Sequence, residues 1–82
     1  MKRSELDILL HRREVLARKI EAYVKVRRAI SDLASQFLHD VYALEALNSI
    51  DKTLFQWILY MQQGLKKLEE KIERFQSAQF SE

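Results

Sequence analysis

Cysteine and proline are absent from the 82 residues, and glycine occurs once, at Gly64. Without cysteine there is no disulfide, no thiolate ligand for a metal, and none of the stapling on which small secreted domains depend. Without proline, and with one glycine, almost nothing interrupts a helix, and strand-like alternation is missing too. A glycine-rich phosphate loop is excluded on the same count. No apolar run is long. The longest, Trp57 to Met61, falls far short of the ~20 residues that span a bilayer. The basic start Met1-Lys2-Arg3-Ser4-Glu5 is not followed by an apolar core of signal-peptide length. These absences predict an all-α, cytoplasmic protein with no membrane partner.

What is present is a heptad pattern, twice. Leu9, Leu16, Tyr23, Ile30 and Phe37 recur every seven residues, with Leu6, Leu10, Ala17, Ile20, Val24 and Ala34 beside them. This is a coiled-coil-like seam of d positions. Arg13 and Arg27 fall on its a positions, where the aliphatic stems can lie along a groove while the guanidiniums reach water. The second half repeats the device through Leu47, Leu54, Met61, Leu68 and Phe75, with Leu44, Ile58, Leu65 and Ile72 three residues ahead; only Asp51 interrupts that a row.

Ser4-Glu5-Leu6-Asp7 reads as a helix start, because Ser4 can cap free amides and the acids sit at the positive end of the dipole. Between the seams, Ser31-Asp32, Ser35-Gln36 and His39-Asp40 are the poorest helix formers. The prediction is one domain over 1–82, an antiparallel helical hairpin. Its helices cover about 4–35 and 40–76, joined by a turn at 36–40 with Asp40 as cap. A kink at 48–51, capped by Ser49 or Asp51, would add a third short helix. The pattern fades after Gln76, so 77–82 is read as a frayed tail, despite the apolar Phe80.

The stretch 54–61, Leu-Phe-Gln-Trp-Ile-Leu-Tyr-Met, is apolar or aromatic at seven of eight positions. At 3.6 residues per turn it points large side chains in every direction, and one neighbouring helix cannot cover them all. Phe55, Trp57, Ile58, Tyr60 and Met61 are therefore the candidate partner-binding residues, half core and half docking surface. The competing reading makes them simply the core of a three-helix or self-associated bundle.

Candidate chemistry is sparse. His11 and His39 form no recurring ligand pair of the kind a metal site needs, and the serines fall at caps and turns, where capping explains them. No catalytic residue, metal or cofactor is predicted. His11, Arg18 and Lys25 share a helical row, with Arg12 and Lys19 beside it, which would suit phosphates. Glu14 and Glu21 dilute that field, and the net charge is only +2. The charge is also divided: residues 1–35 carry nine Lys/Arg against five Asp/Glu, residues 36–82 five against seven. Two antiparallel helices so charged attract weakly along their flanks.

Laid out in this way, residues 6–14 (Leu-Asp-Ile-Leu-Leu-His-Arg-Arg-Glu) resemble the first helix of the small co-chaperones of the type III secretion needle subunit, often called the E component. Residues 42–47 (Tyr-Ala-Leu-Glu-Ala-Leu), leading into Phe55 to Tyr60, resemble their second helix. That resemblance implies a hairpin that binds a tetratricopeptide-like chaperone, the pair keeping the needle subunit from polymerising in the cytosol. A second likeness is to the all-helical chorismate mutase fold, whose first helix is similar to residues 9–17. Lys25 would stand for the active-site lysine, but His39-Asp40 replaces the expected Arg-Glu pair. A dianionic transition state needs several converging cations, and only Arg13 and Lys25 are placed to serve. The expectation is a non-catalytic, protein-binding co-chaperone. The alternatives are a mutase-like enzyme and a homomeric coiled-coil nucleic-acid binder.

Overall fold

The computed structural model describes residues 4–80, with side chains through Ala78. Helix α1 runs over Glu5–Ala34, a single 3₁₀ turn over Ser35–Phe37, and helix α2 over Val41–Phe80. They form an antiparallel hairpin, with no strand among the described residues.

Both helix starts are set by side chains. Ser4 Oγ accepts from the Asp7 amide at 3.2 Å, and Asp40 Oδ1 accepts from the Ala43 amide at 3.0 Å, each satisfying an amide that has no intrahelical partner. At the other end of α1 the Ser35 hydroxyl donates to the Asp32 carbonyl at 2.6 Å. The chain then tightens into the 3₁₀ turn and reverses, with the Asp40 amide donating to the Phe37 carbonyl at 2.9 Å.

Three expectations change. The kink at 48–51 does not form, and there is no third α-helix among the described residues: α2 is continuous through Asn48 and Ser49, and the Thr53 hydroxyl donates to the Ser49 carbonyl at 3.1 Å. Packing of Leu47 and Leu54 against α1 outweighs the weak propensities of the intervening residues. Phe37 leaves the d row, because the helix has ended before it, and is exposed in the turn. The helix also continues through 77–80 with no breaker to stop it, while the remainder of the expected tail, 81–82, and the Phe80 side chain lie outside the described residues.

The seam holds a strict heptad register. Every a and d residue of α2 from Leu44 to Phe75 is buried or half-buried, as are Leu6, Leu9, Leu16, Ile20, Tyr23, Ile30 and Ala34 of α1. Ala17, expected beside them, is exposed. A period of 3.5 kept over so many turns means that each heptad position stays on one face of the hairpin.

The hairpin is long and thin, 65 × 23 × 14 Å, with a radius of gyration of 18.6 Å; a compact domain of this length would have about 12 Å. Its accessible surface is 7068 Å², against the roughly 5,200 Å² expected for a globular protein of its mass. Only Leu9, Ile58 and Ile72 are buried among the described residues, and none of them completely. Two helices supply one layer of contact and no more.

Candidate partner-binding surface

The heptad rows beside the seam define two flanks. On one, Leu10, Ala17 and Val24 of α1 run next to Asn48, Phe55, Gln62 and Glu69 of α2. On the other, Arg12, Lys19, Val26 and Leu33 run next to Ala43, Ile50, Trp57, Gly64 and Lys71. In an antiparallel pair, rows of the same type meet on the same side. The recess shared by Arg12, Lys19 and Gly64 fixes that register here.

The predicted binding residues are divided among these faces. Ile58 is 4% exposed and Met61 half-buried; both belong to the seam and offer little to a partner in this hairpin. Phe55 lies on the first flank, its ring 4.8 Å below the Arg27 guanidinium carbon. Trp57 lies on the second, tilted against Tyr23 with ring centroids 5.9 Å apart, yet still 52% exposed. Phe55 and Trp57 are about 200° apart around α2, a consequence of their two-residue spacing. Tyr60 faces away from α1 and is 78% exposed. One partner helix therefore cannot lie on Phe55 and Trp57 together.

The first flank carries a cross-helix pair, although Phe55 itself is still 43% exposed. Arg27 and Asp51, the two charged residues that break the apolar a rows near the hairpin's middle, meet across the seam. Arg27 Nε donates to Asp51 Oδ1 at 2.8 Å and its Nη2 to Oδ2 at 3.0 Å. These hydrogen bonds, with the attraction between the charges, hold the Asp51 carboxyl below its ordinary pKa and the Arg27 guanidinium above its own, against the opposing effect of partial burial. A bidentate pair of this kind fixes alignment as well as charge.

The second flank and the hairpin tip are not satisfied. Val15, Val26, Leu33, Ile50 and Trp57 are exposed along the flank. At the tip Leu38, Val41 and Tyr42 are more exposed still, Tyr42 at 83%. Attention to the dense stretch 54–61 misses these tip residues, although Leu38, Val41 and Tyr42 carry the signal: large apolar side chains flanking His39-Asp40, where a helix connection is ordinarily polar.

Other candidate groups are dispersed. Among the described residues no three metal-ligating side chains of the His, Cys, Asp or Glu type gather. Arg13 and Lys25 stand twelve residues apart on α1, about 18 Å along its axis, and Lys25 pairs with Glu21 at 3.4 Å. Arg18 likewise pairs with Glu14 at 2.7 Å, so the row expected to suit phosphates is largely neutralised by its own helix. No helix among the described residues is long and apolar enough to cross a membrane. The chain matches no family model, no curated protein and no solved structure. The surface is therefore read from its own chemistry.

Proposed function

We propose that this protein acts by binding another protein, as a helical hairpin whose uncovered side is completed in a heteromeric complex. The observation that supports this reading is the imbalance of apolar side chains. Thirteen large ones are exposed among the described residues, against three that are buried, and those on the Trp57 flank and at the tip form neighbouring patches. Grouped exposed apolar side chains are a mark of interaction sites, and rigid aromatic anchors such as Trp57 are what such sites use for affinity. Within this class, the likeness to the needle-subunit co-chaperones favours a tetratricopeptide-like chaperone as partner. The complex would then help to keep a type III needle subunit unpolymerised in the cytosol.

The test is the mass and thermal melting of the purified chain, alone and after co-production with such a chaperone from the same host, by light scattering after size exclusion and by circular dichroism. The reading expects a soft melt or self-association of the chain alone, and a stoichiometric complex with a sharper, higher transition. A concentration-independent monomer that melts cooperatively and gains nothing from the chaperone would overturn it.

A further inference from the structure

The Trp57 flank changes character along its length. From the tip to Trp57, the positions facing this side are Ala22, Val26, Ala29 and Leu33 on α1 and Ala43, Ala46, Ile50 and Thr53 on α2; none is charged. Beyond Trp57, toward the termini, the same rows carry Arg12, Lys19, Lys67, Lys71 and Arg74, with Glu5 as their one acid. No ion pair reaches these five cations among the described residues. Between Arg12 and Lys19 the floor is Val15, Leu16 and Leu68, and it dips at Gly64, where no side chain fills the recess. The result is a shallow trough between the helices, apolar at the tip end and cationic at the terminal end.

We infer that this trough takes one amphipathic helix of a partner protein, its apolar stripe over Val26, Leu33, Ile50 and Trp57 and its carboxylates over Arg12, Lys19 and Lys71. The inference rests on the binding reading above and adds the partner's chemistry and its orientation. A third helix laid between two others restores the bundle that the hairpin lacks, and helix-in-groove docking uses this combination of apolar anchors and flanking charge. From Arg12 to Leu33 the trough accommodates a helix of about 22 residues. The unpaired cations supply the argument for acidic groups, because complementary charge sets orientation and rejects wrong partners.

A second copy of this chain fits less well. Pairing the flank on itself with the hairpins parallel sets like charges together, and pairing them antiparallel covers the apolar half but carries the cations beyond the partner's tip. Of this chain's acids near the terminal end, Asp7, Glu14 and Glu69 lie toward the other flank. An anionic bilayer would favour cations along the edges of an apolar stripe; here they follow it end to end.

The probe is a labelled synthetic helix of about 22 residues with leucines facing one side in its first half and glutamates there in its second. A control peptide carries lysines in place of the glutamates. Fluorescence anisotropy against the full chain is expected to give binding to the glutamate peptide at least about tenfold tighter than to the lysine peptide. The preference should be lost in Arg12→Glu/Lys19→Glu. Trp57→Glu and Ile50→Glu, each checked for wild-type helicity, should weaken binding by a similar factor, and Gln62→Glu on the other flank should not. Failure to bind, or equal affinity for both peptides, overturns the inference. So does binding of phosphatidylglycerol vesicles in preference to the glutamate peptide, or a homodimer that Trp57→Glu dissociates. If a chaperone complex forms and survives Trp57→Glu but not Phe55→Glu, the binding reading stands and the assignment of this flank falls. If the chain is a stable monomer with no chaperone complex, the binding reading itself falls.

Discussion

Along the flank that carries Phe55, one cluster finds its partners inside the chain: Arg27 is held by both Asp51 oxygens and lies over the Phe55 ring. Along the flank that carries Trp57, one ring contact with Tyr23 is the only comparable interaction among the described residues, and five cations and a set of exposed apolar side chains are left without one there. Both flanks grow from the same heptads and share one seam. The difference teaches that local pattern builds the hairpin, while unmet chemistry gathers on one side, the side the proposed binding would use.

The comparison can be broken most severely at the shared floor. Ile58 supports both flanks, and Ile58→Ala is expected to cost about 2–5 kcal/mol. Urea denaturation followed by circular dichroism should show the midpoint fall, and an unchanged midpoint would mean that the seam does not carry the fold. Trp57→Ala tests the second flank. It removes the Tyr23 ring contact, worth about 1 kcal/mol, so stability should drop modestly while partner binding drops much further. Equal losses in both would make Trp57 a core residue.

Gly64→Ala sharpens the comparison from the opposite direction. The new Cβ would sit 3.7 Å from Leu16 Cδ2, an ordinary contact, and a mid-helix Gly costs up to about 1 kcal/mol relative to Ala. The variant should be more stable by up to that amount, and a lower melting temperature would refute the open trough described at this position. At the Arg27–Asp51 pair the expected effects are smaller still. Arg27→Leu or Asp51→Leu alone should lower the melting temperature, since each strands a partly buried charge, and the double change should restore it. Additive losses would show no coupling between the two residues and would overturn the pairing across the seam.

The least of the effects is one of pH. Asp51 is held below its ordinary pKa chiefly by its hydrogen bonds to Arg27. Its contribution is therefore complete above the unfolded-state value of about 3.9 and is lost as pH falls through the lower folded-state value. The stability gap between wild type and Asp51→Asn should be constant from neutral pH down to about pH 4 and close below it. A gap that closes nearer neutrality would assign the effect to another group.

Much of the hairpin is legible in the residues alone. Missing proline and cysteine, the two heptad seams, and Ser4 and Asp40 as caps all report local physics: backbone propensity, periodicity and the free amides of helix ends. The interrupted a rows at Arg27 and Asp51 are visible too, but that these two meet depends on the register between the helices. A heptad seam tolerates slips of seven, and only the turn together with that pair selects one alignment. The division of 54–61 among three faces follows from helical geometry, yet which of those faces stays uncovered depends on where α1 lies.

By itself, then, the sequence determined that the chain is helical, that it turns back near residues 35–40, and that it holds more large apolar side chains than two helices can bury. These are consequences of spacing and composition, which act over a few turns. The tertiary structure decided that Gly64 opens beside Leu16, that Trp57 leans on Tyr23, and that an apolar half and a cationic half line up on one flank. Such juxtapositions join residues far apart in the chain, and only the packing of one helix against the other brings them to the same surface.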